Sequence, residues 1–326
     1  MRPARSACLI AVLLGSIVGA GGARADGLPV LGIDVGNVGV TTPSEVARLV
    51  TIPAASGTIV ARIAKRDGRV VRSRLLRGTF TIPAVAYDGS PGGLAADART
   101  LVLIEPRVAF PRQETTLLAL DARRLAPLRL VRLHGDFSFD AVSPQGRWMY
   151  LIQYTSPNDP TRYRVRVYDL RHGRLLTRPV LDPSAPDEKM RGAPLSRVAS
   201  ADGRWAYTLY DGAGGTPFIH ALDTTGRTAR CIDLAPLVGR KDLWQLRLRL
   251  DRGSVSVRGS RGALLTVDPR SFTVASASRG VSIPWRTAAA ALLALILALA
   301  ATIVVRRRHG RDATLLLARS TLGGDG

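Results

Sequence analysis

The chain has 326 residues, 46% of them hydrophobic, a length that allows one large or two small domains with a buried core. Its 46 Lys and Arg residues against 25 Asp and Glu residues leave a net charge of +21. With only two cysteines, Cys8 and Cys231, the composition excludes a scaffold held by several disulfides and a cysteine metal cluster.

The N-terminus has the pattern of a secretory signal peptide. Two arginines precede an apolar run that ends at Ala20, and a small-x-small sequence follows and ends at Ala25. Signal peptidase cuts after such a sequence, so we expect cleavage between Ala25 and Asp26 and the removal of residues 1–25. If the segment were instead an uncleaved anchor, its positive flank would stay inside and the region after it would still be exported.

A second hydrophobic segment covers residues 285–305. It has the length, about 20 residues, that a helix needs to cross a hydrocarbon core of ~30 Å, and Trp285 suits the outer interface. Arg306, Arg307 and Arg308 follow it, as the positive-inside rule predicts for a stop-transfer sequence. We therefore predict a transmembrane helix over residues 285–305.

These two ends predict the topology of the whole chain. Residues 26–280 form an extracytoplasmic domain, and residues 306–326 form a short cytoplasmic tail of a single-pass protein in a bacterial cell membrane. This location excludes genomic DNA and cytosolic nucleotides as expected ligands, so nucleic acid is not an expected partner.

The positive charge is almost entirely arginine, because the only lysines are Lys65, Lys189 and Lys241. One explanation is a GC-rich genome, in which arginine codons are favoured over lysine codons. The other is affinity for an anionic surface, either phospholipid head groups or acidic cell-envelope polymers beside the anchor. Composition leaves both explanations open, since net charge gives information about association and not about the fold.

Hairpins recur along the predicted exported region. Five segments each consist of an alternating apolar run, a turn and a second alternating run, and their starts lie 46 to 58 residues apart; the segments are residues 58–76, 116–133, 163–180, 217–234 and 263–277. That spacing is near the period of four-stranded propeller blades. Gly68, Gly173 and Gly226 occupy three of the turns, whereas the turn at residues 121–124 has no glycine and is the weakest of the five.

A second repeat precedes these hairpins. Residues 143–150 read Ser-Pro-Gln-Gly-Arg-Trp-Met-Tyr, residues 200–207 read Ser-Ala-Asp-Gly-Arg-Trp-Ala-Tyr, and residues 95–102 are a degenerate third copy. The first copy is followed by Val-Arg-Val-Tyr-Asp-Leu at residues 165–170. This pattern resembles the repeat of WD40-like and YVTN-type β-propellers, although the Gly-His dipeptide of true WD40 repeats is missing and Tyr-Asp replaces Trp-Asp. The resemblance implies a propeller-type repeat without placing the chain in a named functional family.

We therefore predict an all-β fold, a β-propeller of about five four-stranded blades, plus one C-terminal transmembrane α-helix. A sixth blade would form if residues 28–40 contribute closing strands. Alternation supports sheets independently: apolar side chains share one face in residues 162–168, and the leucines of residues 244–250 do the same. Radial repetition would bury these faces against the neighbouring blade.

No motif predicts a catalytic, cofactor-binding or metal-binding residue. The glycine-rich segment 32–39 is superficially similar to the first phosphate loop of the actin and sugar-kinase superfamily, but it would need a nucleotide that the exterior lacks. His134, His172 and His220 lack zinc-ligand spacing. Cys231, the remaining cysteine after signal removal, has apolar neighbours that favour burial, although a disulfide between chains is the alternative.

Acidic residues concentrate in the predicted turns, where capping of the backbone explains them without catalysis. The members of this set are Asp97, Asp202, Asp223, Asp251 and Asp268.

Function in a propeller is expected on the loops, of which the longest are residues 87–93, 155–161 and 182–194. The primary hypothesis is a non-enzymatic binding or interaction module for a protein or a cell-envelope polymer. The alternatives are an exported propeller enzyme, such as a hydrolase or lactonase-like protein, and electrostatic attachment to anionic envelope material.

Overall fold

The computed structural model describes residues 39–44, 46–187, 190–251 and 253–277. The predicted cleavage site at Ala25 and Asp26, the predicted helix over 285–305 and the cluster of Arg306, Arg307 and Arg308 lie outside the described residues. The chain divides into two compact units, Met1–Ala277 and Ser278–Gly326, and every described residue belongs to the first. Within the described part, no helix is long and apolar enough to span a membrane.

The described residues form an all-β structure of five antiparallel sheets, in each of which consecutive strands are neighbours. Sheet 1 contains β1 (Val40–Thr41), β2 (Ala47–Ala54), β3 (Gly57–Ala64) and β4 (Val70–Leu76). Sheet 2 contains β5 (Thr100–Ile104), β6 (Glu114–Asp121) and β7 (Pro127–His134). Sheet 3 contains β8 (Phe137–Val142), β9 (Trp148–Tyr154), β10 (Tyr163–Asp169) and β11 (Arg174–Leu175).

The last two sheets follow the same plan. Sheet 4 contains β12 (Pro194–Ala199), β13 (Trp205–Tyr210), β14 (Phe218–Asp223) and β15 (Thr228–Asp233). Sheet 5 contains β16 (Arg247–Asp251), β17 (Ser254–Gly259), β18 (Gly262–Val267) and β19 (Val274–Ser276). Three short 3-10 helices, Gly212–Gly214, Ala235–Leu237 and Leu243–Gln245, lie in the connections. Successive four-stranded meanders of this kind are consistent with the blades of a β-propeller.

All five predicted hairpins are confirmed, because each forms the last strand pair of one sheet. In every one, the fifth residue of the turn donates its N–H to the carbonyl of the first, as in Gly173 to Asp169 at 2.7 Å. In the turn of sheet 4, which includes Gly226 as predicted, the residue with positive φ is Arg227, at 59°. The glycine-free turn of sheet 2 has the same hydrogen bond, donated by the N–H of Leu125. Leu125 has a φ of 57°, and its side chain is fully buried.

Aspartates cap these turns, as predicted. Asp223 Oδ1 accepts the N–H groups of Thr225 and Gly226 at 2.9 and 2.8 Å, and Asp268 Oδ1 accepts two amides in the same way. Asp251 differs from the prediction, since its carboxylate accepts from the side chains of Ser256 and Arg258.

Each hydrophobic cluster is shared by two consecutive sheets. In β5, Leu101 and Leu103 pack into the core between sheets 1 and 2, whereas Val102 and Ile104 pack into the core between sheets 2 and 3. Strand β9 divides its side chains in the same manner between sheets 2 and 4. Because side chains alternate across a strand, one strand supplies two cores only when both faces of its sheet are covered.

Sheets 2 and 5 depart from the expected pattern. Sheet 2 has three regular strands, and its fourth position is occupied by two isolated bridges, Thr81 to Ile104 and Leu94 to Leu101. The predicted alternation from Trp244 is partly wrong: Trp244 lies in a 3-10 helix and is 66% exposed, and Leu250 is 38% exposed. The alternation holds where sheet 5 packs against sheet 4, since Leu248 is buried there.

Candidate functional site

A long connection between sheets 1 and 2 enters the centre of the fold. Residues 82–92, here called the axial loop, separate the two bridges that complete sheet 2. The loop passes sheet 3 and reaches the first strand of sheet 4, where the Tyr87 N–H donates to the Pro194 carbonyl at 2.9 Å. Ser90 Oγ donates to the Arg197 carbonyl at 3.3 Å. The axial loop therefore lies against the first strand of sheet 4.

A cavity of about 430 Å³ lies beside the axial loop. Its wall combines the loop residues Val85 and Gly92 with side chains from the first strands of sheets 3 and 4 and with the tip of the β12–β13 turn at Ala201. Thr41 of sheet 1 also contributes. The axial loop and residues of sheets 1, 3 and 4 therefore enclose the cavity, and its walls are mostly apolar.

The polar group of this cavity is the pair formed by Asp140 and Arg197. Strand β8 shifts register between Phe139 and Ala141, so Asp140 is the extra residue of a β-bulge. A bulge re-aims a side chain, and here it directs the carboxylate of Asp140 toward β12. Arg197 Nη2 donates to Asp140 Oδ1, and Arg197 Nη1 donates to the Asp140 carbonyl at 3.0 Å. Both side chains are at least nine-tenths buried.

This pair leaves hydrogen-bonding capacity unused. Asp140 Oδ2 and Arg197 Nε are buried and have no hydrogen-bond partner. Burying a polar atom without a partner costs free energy. Both residues line the cavity, and the two charges of the pair offset each other. The site therefore favours a neutral polar ligand.

A polar row continues from Arg197 across sheet 4. The strand registers align Arg197, Thr208, His220 and Cys231, so their side chains share the face that packs on sheet 3. His220 is 1% exposed, and Thr208 Oγ1 and His220 Nδ1 have no hydrogen-bond partner. Burial lowers the pKa of His220 to about 4, with Arg197 lowering it further and Asp140 opposing the shift. The imidazole is therefore neutral at pH 7.

The other predicted residues take structural roles. His134 ends β7 and is exposed, and His172 lies in a turn, where Nδ1 is 2.7 Å from Asp169 Oδ2. Cys231 is half-buried on β15 rather than buried, because this last strand of sheet 4 is covered only in part. Within the described ranges, no three His, Cys, Asp or Glu side chains form a group that could hold a metal ion.

Of the three predicted loops, only residues 87–93 reach the central cavity. Asp159 caps the loop at residues 155–161 through Thr161, and Asp182 at the start of the third loop accepts the N–H of Cys231 at 2.9 Å. Sequence reasoning missed Asp140 and Arg197. The available signal was a carboxylate in the otherwise apolar segment Phe-Ser-Phe-Asp-Ala-Val of β8.

No protein-family model and no curated protein sequence matches the chain. Among solved structures, a protein of unknown function from Desulfotomaculum acetoxidans is 12% identical with a TM-score of 0.44, over 73% of this chain and 67% of that one. TolB from Acinetobacter baumannii is 11% identical with a TM-score of 0.36, over 68% and 51%. The β-propeller domain of the Trilobed protease from Pyrococcus furiosus is 12% identical with a TM-score of 0.33, over 49% and 44%. At these values the similarities carry no information on activity.

Proposed function

We propose that this chain is a membrane-anchored, extracytoplasmic binding module, built as a five-bladed propeller that takes a neutral polar ligand in its central cavity. The observation that carries the proposal is the buried Asp140–Arg197 pair in the wall of a cavity of about 430 Å³. Binding sites are typically concave and mostly apolar with a few convergent polar groups, and this cavity has that character. The anchor and the export signal rest on the sequence patterns of residues 1–25 and 285–305.

Site-specific photocrosslinking in intact cells tests the cavity. A photoreactive amino acid replaces Ala201, an exposed residue of the cavity wall. We expect an adduct that disappears when the neighbouring Ala199 is changed to Trp, because the indole fills the cavity. Ala275→Trp, an equal change on the last strand of sheet 5, is the control and should leave the adduct intact. An adduct at residue 201 that survives Ala199→Trp would refute binding in the cavity.

Cysteine labelling tests the topology. In a Cys231→Ser background, Val108→Cys places a thiol at a residue that is 99% exposed. We expect a membrane-impermeant maleimide to label it in intact cells, and to label Ala313→Cys in the predicted tail only after permeabilisation. Labelling of both positions only after permeabilisation would contradict an exterior domain.

The Asp140–Arg197 pair also predicts a stability effect. Asp140→Asn leaves the buried guanidinium without its counter-charge, so we expect the free energy of unfolding to fall by about 3–5 kcal/mol. Denaturant unfolding of the full chain measures this loss. Asp97→Asn, in an exposed turn where the amide oxygen can still accept the Arg99 N–H, is the control and should change little.

A further inference from the structure

A groove separates the outermost strands of sheets 1 and 2. Strand β4 ends sheet 1 and β7 ends sheet 2, and the space between them has a volume of about 570 Å³. Leu76, Phe80 and Leu118 are buried and form its floor. We call this space the outer groove. It lies on a different surface from the central cavity and shares no lining residue with it.

Aliphatic side chains are exposed along the outer groove. Leu75 and Leu130 line it and are 53% and 48% exposed. Leu128, two residues before Leu130 on β7, is 59% exposed. A cluster of half-exposed aliphatic residues next to a groove is uncommon on a soluble surface and marks an interaction site.

Arginines frame these aliphatic residues. Arg74, Arg77 and Arg132 line the outer groove, and Glu105 is the only acidic residue in its lining, which leaves an excess of positive charge. The pairing of Arg132 with Glu114 is long, at 3.9 Å, and both side chains are about half exposed or more. Arg74 Nη1 donates to the Leu125 carbonyl at 3.5 Å, but Arg74, Arg77 and Arg132 are all exposed, so they remain accessible to an anionic partner.

We infer that the outer groove binds an anionic phospholipid, with the acyl chain on the apolar floor and the phosphate among Arg74, Arg77 and Arg132. The guanidinium fork matches phosphate geometry, and basic side chains next to aliphatic ones are attracted to anionic membranes. An acidic peptide fits less well, because its charged side chains would not cover the apolar floor of Leu76, Phe80 and Leu118. The inference rests on the membrane placement proposed above.

Photolabelling of the full chain in nanodiscs tests this inference. The probe is phosphatidylglycerol with a diazirine in its acyl chain, diluted into discs of phosphatidylcholine, and labelled peptides are mapped by mass spectrometry. We expect adducts in residues 70–80 and 116–132, at least tenfold weaker with a phosphatidylcholine probe of the same chain. The triple change Arg74→Gln, Arg77→Gln, Arg132→Gln should weaken them at least tenfold.

A matched triple change on sheet 5, Arg247→Gln, Arg249→Gln, Arg258→Gln, removes the same charge from exposed residues and should leave the labelling unchanged. Groove labelling that is equal for the two probes, or insensitive to the first triple change, overturns the inference. Labelling of residues 285–305 reports the anchor separately. Adducts there with none in the groove overturn the inference alone, whereas adducts in the groove with none at 285–305 support it and contradict the anchor.

Discussion

Ala98 holds a backbone conformation that its two counterparts in the repeat fill with glycine. Its φ is 55°, against 72° for Gly146 and 71° for Gly203, and the same turn hydrogen bond forms in all three copies. A Cβ in this left-handed region costs free energy that glycine avoids. The degenerate copy at residues 95–102 therefore forms the same turn as the other two, but with backbone strain at Ala98.

Ala98→Gly should relieve that strain. We expect the free energy of unfolding to rise by about 0.5–1 kcal/mol, since the relief exceeds the extra entropy of the unfolded chain. Urea unfolding of the full chain measures the change. Ala201→Gly changes a residue with negative φ in the equivalent turn of sheet 4 and should instead lower stability slightly. A loss of stability in both variants would contradict strain at Ala98.

His220 makes stability depend on pH. Its pKa falls from 6.5 to about 4 on folding because the ring is buried. Between these two pH values the imidazole is protonated in the unfolded chain and neutral in the folded chain. Stability is therefore complete above pH 6.5 and is lost as the pH falls toward 4, by about 3 kcal/mol in total.

Replacing His220 with Asn should flatten this dependence. Denaturant unfolding at pH 7.0 and 4.5 should show a smaller difference in the His220→Asn variant than in the parent chain. His134→Asn changes an exposed histidine at the end of β7 and controls for the loss of an imidazole as such. An unchanged difference in the His220 variant would mean that other groups set the acid sensitivity.

At the scale of elements, the β5–β6 connection is held by a buried charge cluster. Asp136, just before β8, accepts from Arg107 Nη2 at 2.6 Å and from the Arg112 N–H at 3.0 Å. The Arg107 guanidinium also lies 4.9 Å from the Tyr154 ring centroid. Burial and the charge of Arg107 lower the pKa of Arg112 to about 10, which keeps it charged at neutral pH. One carboxylate therefore orders a loop that carries two cations.

Asp136→Asn should release this loop. Both arginines would lose their counter-charge in a buried place, so we expect a loss of about 3–5 kcal/mol and much faster trypsin cleavage after Arg107 or Arg112. Limited proteolysis followed by mass spectrometry of the fragments reads out the site. Cleavage at the parental rate would show that the loop is held by other contacts.

Strands and hairpins were predictable at this scale because their signals are local. The turn at residues 225–226 was placed correctly, although the left-handed residue is Arg227, whose side chain lies 4.9 Å over the Trp148 ring. The left-handed position is thus filled by an arginine that packs on a tryptophan rather than by glycine. A long connection was predicted at residues 87–93, which overlap the axial loop, but no local pattern shows that this loop crosses to sheet 4.

At the scale of the whole molecule, shared cores couple the sheets. Met149 and Leu151 of β9 pack with sheet 2, whereas Tyr150 and Ile152 pack with sheet 4. A sheet that opened alone would expose apolar surface on both of its faces and on both neighbours, so local opening is costly.

This coupling predicts one cooperative unit. We expect the slowest-exchanging amides of β5, β9 and β13 to share one opening free energy in native-state hydrogen exchange, and to respond together to denaturant. Separate opening free energies for the three strands, each following its own sheet, would contradict the shared-core arrangement.

The sequence by itself determined the all-β class, the five hairpins, the aspartate-capped turns and the expectation of export and anchoring. These follow from alternation, turn chemistry and hydrophobic length, which act over a few residues. Only the tertiary structure decided that Asp140 meets Arg197, that the axial loop lies in the centre, and that arginines of β4 and β7 share one groove. Residues 140 and 197 lie on separate sheets, and they meet because of a β-bulge in β8 and the packing of sheet 3 against sheet 4. No local sequence pattern encodes either of these causes.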